Sequence, residues 1–468
     1  MKNPIFFLAS FIILAFSCQN EKVENANPDE DQAQDSSLVY APVSHPDWVQ
    51  NASIYEVNIR QHTAEGTFAA FQEHLPRIKK LGIKILWIMP IQPIGLEKRK
   101  GGLGSYYSIQ DYKAVNPEFG TMDDFKTLVN TAHEMGFKVI LDWVANHSAW
   151  DNVWMDEFPE WYTTDDSGNV VSPVADWSDV ADLNYDSKEM RAAMTDALEF
   201  WIKETDIDGY RCDVGMMVPM DFWNNTRETL DKIKPVFMLA EAEGKEFHKS
   251  AFDMTYGWEF HHLMNQVAQG KDEVSVFDEY QAKMDSSYSK DDLRMFFTTN
   301  HDENSWNGTI AERMGDNHLN FFALACTFPN GMPLIYSGQE ARLNKRLAFF
   351  EKDTIDWSDT TLYPFYREMI ELKSSHPALV NGKNQGSFNK VSTIKQEGVY
   401  AYRRKAQGGE EELLVILNFG DSDFELKNED FEGSWDIVMK SQSMIMNSNG
   451  KFIVQAHDFL IFNHSQNN

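Results

Sequence analysis

Along the chain, short and nearly continuous apolar runs alternate with longer stretches in which apolar residues recur every three or four positions. The runs at 53–60, 83–90, 137–144, 209–214, 236–242, 253–258, 293–300 and 332–337 predict strands. The periodic stretches at 67–81, 121–135, 187–205, 221–233, 318–328 and 362–374 predict helices. Thr121, followed by Asp123 and Asp124, has the capping hydroxyl and acidic first turn of a helix start. Strands that are apolar on both faces belong in a parallel sheet covered on both sides. Repeated strand–helix units of this number, over about 250 residues or more, close into a (β/α)8 barrel. The rival, an open doubly wound sheet, needs a glycine-rich phosphate loop after its first strand, and none follows.

Two regions depart from this rhythm. Between His147 and Ser187 lie roughly forty residues without periodicity, far more than an ordinary strand-to-helix loop. They predict a small inserted domain, 148–186, rich in Trp and Asp, beside the C-terminal mouth of a barrel at 46–380. From about Gly386 the pattern turns to short alternating runs, such as 399–403 and 412–418. These predict an antiparallel β-sandwich as a C-terminal domain, 381–468. No internal repeat is visible.

The 468 residues suffice for one large and one smaller domain with a substantial core. A net charge of -30 argues against nucleic acid, which needs a basic stripe, and against anionic lipid or polysaccharide. Lys2, the apolar stretch 4–16 and small residues around Ser17 and Cys18 read as an export signal at 1–17, too short to be a membrane-spanning helix. A Cys in that place predicts lipid attachment at Cys18, with Ala15 standing where Leu is usual. The acidic, polar stretch 18–45 would then be a flexible tether. The expectation is an exported, membrane-anchored lipoprotein, periplasmic or cell-surface, that meets the membrane only through its N-terminal lipid. Cys212 and Cys326, each in an apolar run, read as buried free thiols.

In such a barrel the reactive groups sit at the C-terminal ends of strands. Those ends carry Asp142, Asn146 and His147; Arg211 and Asp213; Glu241; and His301 and Asp302. Arg211 and Asp213, two apart on a strand, point to the same side. The guanidinium would keep Asp213 ionised, and the charge of Asp213 would raise the pKa of Glu241 on the next strand. Strands lie about 4.8 Å apart, so the two carboxyls suit the ~5 Å separation of a retaining glycosidase. Arg211–Asp213 alone reads equally well as a structural salt bridge at a barrel mouth.

Taken in order, these blocks resemble the conserved regions of the α-amylase family. So do Asp182 within Ala181–Asn184, the Tyr107–Tyr112 and Asn116–Thr121 segments, and Gly331–Glu340, so that the resemblance runs from about Trp48 to Leu379. It implies Asp213 as nucleophile, Glu241 as general acid/base and Asp302 as a third carboxylate gripping sugar hydroxyls. Arg211 would orient Asp213, His147 and His301 would bond hydroxyls, Tyr107 would stack under the ring, and Asp142 would anchor these substrate-side residues from behind. Asn146 and Asp182 match calcium-ligand positions, so a structural calcium is the one cofactor implied, and a backbone carbonyl of Met217 could join it. The implied partner is an α-glucan or malto-oligosaccharide, and the implied reaction is hydrolysis of its α-glucosidic bonds. A transglycosylase with the same site and a non-catalytic glycan-binding lipoprotein are the alternatives. Three departures stand out. Met216 and Met217 replace a Lys-His pair common in the family; a His before the stacking Tyr is missing, with Ser105 nearby; and no extra N-terminal sandwich precedes the barrel, against a neopullulanase-type dimer. Exo or endo action and linkage preference would be set by the rim segments 148–186 and 243–292.

Overall fold

The computed structural model describes residues 40–427, 434–440, 445–446 and 452–465. The export signal, Cys18 and the tether as far as residue 39 lie outside them. Eight parallel strands close into a barrel: β1 (Ile54–Val57), β2 (Ile85–Ile88), β3 (Lys138–Trp143), β4 (Gly209–Cys212), β5 (Phe237–Ala240), β6 (Met254–Tyr256), β7 (Leu293–Phe296) and β8 (Gly331–Tyr336). Each pairs with its neighbours in sequence, and β8 closes on β1 through Ile54↔Leu334. Almost every strand residue is buried, as expected where helices cover one face and the barrel interior fills the other. The interior is packed with Ile85, Trp87, Ile140, Leu239, Tyr256, Met295 and Leu334, so it is a core and not a pore.

All eight predicted strands exist, but the ladders end before the apolar runs do. The run 53–60 becomes a helical turn, Ile59–His62, because the amides of Gln61 and His62 turn back onto the carbonyl of Asn58. The predicted helix 67–81 is two helices, Phe68–Gln72 and Leu75–Leu81. Pro76 sits in the first turn of the second; in one continuous helix it would lack the amide for the Gln72 carbonyl and its ring would clash there. Helix Met122–Glu134 starts as predicted, with Thr121 and Asp124 in a reciprocal capping box. At the entry to β4 only glycine fits: Gly209 has φ +148, and a Cβ there would lie 1.9 Å from the Phe237 carbonyl oxygen.

The insertion holds a two-stranded antiparallel pair, His147–Ala149 with Val180–Asp182, around a short helix, Val153–Glu157. The rim segment 243–292 contains β6 and two helices absent from the prediction, Trp258–Ala268 and Val276–Ser287. Beyond the barrel, β9 (Ser387–Lys390), β10 (Val399–Lys405), β11 (Glu412–Asn418), β12 (Phe424–Glu425), β13 (Ser434–Lys440), β14 (Ile445–Met446), β15 (Phe452–Val454) and β16 (Asp458–Ser465) form two antiparallel sheets. Their orders are β9-β10-β11-β16-β13 and β12-β15-β14. Helix His318–Thr327, buried from Asn320 onward, lies between barrel and sheet. Asn320 Nδ2 donates to the Asn418 carbonyl at 2.9 Å, and Asn317 Nδ2 to that of Phe419 at 3.0 Å. Cys212 and Cys326 are buried and free. No helix among the described residues is long and apolar enough to cross a membrane.

Candidate active site

Barrel register delivers the acids. Asp142 of β3 pairs with Arg211 of β4, and Arg211 with Leu239 of β5. The amide of Asp213 bonds the Trp143 carbonyl at 2.9 Å, and that of Glu241 bonds the Cys212 carbonyl at 3.0 Å. The ladder thus runs one residue past each strand and brings Asp213 and Glu241 to the same rim.

They meet at one guanidinium. Arg211 is wholly buried; its Nη1 donates to Asp142 Oδ1 at 2.8 Å and to Asp213 Oδ1 at 2.9 Å, and its Nε donates to the Tyr256 hydroxyl at 3.1 Å. Its Nη2 lies 2.9 Å from Glu241 Oε2, an ion pair without hydrogen-bond alignment. Glu241 Oε2 also accepts the Val214 amide at 2.7 Å. Asp142 is buried, and its Oδ2 accepts Trp87 Nε1 at 3.1 Å and the Tyr107 hydroxyl at 3.0 Å. Asp142 therefore touches Arg211 and Tyr107 from behind and acts through them.

One buried cation faces three carboxyls. Burial holds Asp213 well above the usual carboxylate range despite Arg211, with the Glu241 and Asp142 charges adding to the rise. Arg211 does favour the ionised form, as the sequence implies, but burial outweighs it, and sequence does not show how fully the group is withdrawn from water. Burial likewise raises Glu241, against Arg211, with Asp302 pushing the same way. Asp213 and Glu241 titrate as a pair that retains one proton to higher pH than isolated acids would.

A second charge relay flanks the first. His301 Nδ1 donates to Glu56 Oε1 at 2.5 Å, while its Nε2 lies 2.8 Å from the Tyr107 hydroxyl and 3.3 Å from Asp302 Oδ2. Burial opposes the imidazolium, but the Asp302 and Glu56 carboxylates outweigh it and lift the pKa from 6.5 to about 9. A histidine raised on folding contributes stability that is complete below about pH 6.5 and lost as pH climbs through about 9. Urea titrations from pH 6 to pH 10 should show this decline in the wild type. A His301→Gln variant that keeps the same slope would refute the assignment to His301.

His147, at the insertion's first strand, is buried and held neutral, with burial pulling its pKa down to about 3. The neighbouring Asn146 is buried, and Asp182 lies directly opposite His147 across the two-stranded pair. Burial raises the Asp182 carboxyl, a Thr163 hydrogen bond lowers it, and no cationic side chain pairs with it among the described residues. A half-buried carboxylate and a side-chain amide are both oxygen donors, which fits the chemistry of calcium. No group of three or more His, Cys, Asp or Glu side chains is placed for a metal among the described residues, so carbonyls and water would complete the shell. Met217, at 40% exposure, and Met216, at 53%, stand at the surface just beyond Asp213.

The structure adds residues that sequence reasoning passed over. Glu56 is a fully buried acid inside the apolar run of β1, and that misfit was its one signal. Trp87 and Tyr256 bond the Asp142 and Arg211 centre but look like ordinary core aromatics in sequence. Val214, just after Asp213, has φ +38, which a β-branched residue adopts only under strain; this turns its amide onto Glu241.

Comparison with known proteins agrees with this geometry. The family model for the α-amylase catalytic domain matches residues 24–177 and 161–361. The α-amylase MalA of Haloarcula japonica is 25% identical over 396 residues, covering 81% of this chain and 57% of MalA, so the chain spans little more than half of that relative's length. The crystal structure of an α-amylase from Lactobacillus plantarum superposes with a TM-score of 0.74 at 31% identity, covering 89% of this chain and 99% of that one. A maltogenic α-amylase, AmyB of Thermotoga neapolitana, superposes with a TM-score of 0.79 at 28% identity, covering 90% and 100%. With its barrel, its rim of acids and more than half its length matched by the family model, this chain belongs to the α-amylase family.

Proposed function

We propose that the protein is a retaining glycoside hydrolase that cleaves α-1,4-glucosidic bonds in malto-oligosaccharides and related α-glucans. The observation that supports the reading is the sharing of one buried guanidinium by Asp213 and Glu241, which gathers two carboxyls at the same rim of the barrel, as a double displacement requires. In the protonation state that reacts, the pair's one proton is on Glu241 and Asp213 is ionised; Glu241 donates that proton to the glycosidic oxygen as Asp213 Oδ attacks the anomeric carbon and the leaving sugar departs. Glu241 then takes a proton from water, which displaces Asp213 and restores both groups. Arg211 holds the nucleophile in place. Tyr107 supports the sugar ring from beneath, while His147, His301 and Asp302 bond its hydroxyls. His301 Nε2 faces Asp302 Oδ2 at 3.3 Å, so the two act together on the sugar's hydroxyls.

Incubation with a 2-deoxy-2-fluoro-α-glucosyl donor should give a stable adduct on Asp213, read by peptide mass spectrometry. Label on another residue, or none from an active enzyme, would sink the double displacement. Sizing of products from maltose, maltotriose, pullulan, starch, isomaltose and cyclodextrin separates hydrolysis from transfer, since transfer builds longer chains in place of new reducing ends.

Two accompanying readings belong to this proposal. Asn146 and Asp182 would hold a calcium ion whose role is to tie the insertion to the barrel. Chelation should then lower the melting temperature of the wild type and leave that of Asp182→Asn unchanged, and equal shifts in both would rule the site out. The N-terminal segment would direct export and lipid attachment at Cys18; radiolabelled palmitate incorporated equally by wild type and Cys18→Ala would exclude it.

A further inference from the structure

Directly after Asp302 the chain makes a π-helical turn, Glu303–Asn307, a form that is uncommon and concentrates at functional sites. Its fourth residue, Trp306, is 44% exposed and is the one aromatic among the exposed large hydrophobic side chains of the described residues. Trp306 is braced from behind. Its ring centroid lies 5.2 Å from that of Phe349 and 5.8 Å from that of Phe350. Phe349 in turn stacks on Tyr107 at 6.2 Å with only 13° between the planes. A row of rings therefore leads outward from Tyr107, 8% exposed at the reacting centre, through half-buried Phe349 to open Trp306.

The row is rigid because two loops clamp it. Asn304 exchanges hydrogen bonds with the Lys345 carbonyl and the Leu347 amide, at 3.0 and 2.9 Å, and Ser305 Oγ donates to the Leu347 carbonyl at 3.1 Å. From the other side, the Leu103 amide bonds the Phe350 carbonyl at 2.9 Å, and a Cβ on Gly101 would lie 2.5 Å from Phe350 Cβ. An exposed indole on a preformed base offers a flat apolar face with a polar edge, the kind of surface that suits a flat amphipathic ligand. Pyranose rings present such a face, and the row of rings connects this spot to Tyr107.

We propose that Trp306, backed by Phe349 and Phe350, is a stacking platform for a glucose unit beyond the one being cleaved, and that it sets the enzyme's preference for longer α-glucans. This rests on the hydrolytic reading above, so its test includes a measurement that needs no turnover. In Trp306→Ala, kcat/KM for maltopentaose should fall about tenfold, the size of one lost ring stack. Hydrolysis of α-glucosyl fluoride, which fills only the cleaved position, should change less than about twofold, and Trp306→Phe should recover most of the loss. In parallel, calorimetry should show maltopentaose binding more weakly to E241Q/W306A than to E241Q. Equal losses on both substrates, or unchanged affinity in the double variant, would overturn the platform. If the wild type hydrolyses neither substrate, the hydrolytic reading fails and calorimetry alone decides: weaker binding supports the platform and equal binding refutes it.

Discussion

Glu241→Gln should lower kcat/KM for maltopentaose by about 10²–10⁴-fold, the usual contribution of a positioned general acid. The amide keeps the shape of the side chain and can still face Arg211 Nη2 and the Val214 amide, so the fold should persist. What disappears is the proton for the glycosidic oxygen. The loss should therefore depend on the leaving group: α-glucosyl fluoride, whose fluoride departs with little protonic help, should form the Asp213 adduct at a rate much closer to wild type. The pH profile supplies a second check. In the wild type the alkaline limb reports the proton held by the Asp213–Glu241 pair and the acidic limb its first ionisation, both displaced upward by burial. Removing the carboxyl at 241 should abolish the alkaline limb. An E241Q enzyme that cleaves unactivated glucans at the wild-type rate, or loses equally on both substrates, would dismiss Glu241 as the acid.

Arg211→Met should destabilise the protein by about 3–5 kcal/mol at neutral pH, the penalty for stripping a buried charge of its partner. Here a single side chain serves Asp142, Asp213 and Glu241, all withdrawn from water. Without it the pKa values of Asp213 and Glu241 rise further, which gives the loss a direction. Carboxyls raised on folding stabilise the fold only when protonated, so the deficit of the variant should shrink as pH falls and widen as pH rises. Urea midpoints of wild type and R211M at pH 5 and pH 8 test this. Activity should fall by more than 10²-fold at neutral pH, because the nucleophile loses the group that orients and charges it. Asp142→Asn added to R211M should return part of the stability and none of the activity. A deficit independent of pH would mean that Arg211 serves mainly as packing.

The barrel was legible because parallel strands covered on both faces leave nothing but apolar residues, a signal that needs no knowledge of partners. Strand ends were not legible: the apolar run continues through Ile59 although the ladder stops at Val57, and only the Asn58 turn shows why. Likewise, the three-residue strands of the insertion pair residues far apart in sequence and carry too few positions for a period. Asp213, Glu241 and Asp302 were visible as acids closing apolar strands. Glu56 is an acid of the same kind, but it sits inside its strand and shows its importance only through His301. Trp306 has no local signature at all.

By itself, then, the sequence determined which residue types stand at the barrel's mouth and that a barrel forms, since both follow from patterns within a few residues of each position. Tertiary structure alone decided that three carboxyls share one guanidinium, that burial drives the pKa values of Asp213 and Glu241 upward, and that an aromatic row runs out from Tyr107. Desolvation and charge pairing depend on what the rest of the chain places nearby, and Asp142, Arg211 and Glu241 become neighbours only when the strands close in register.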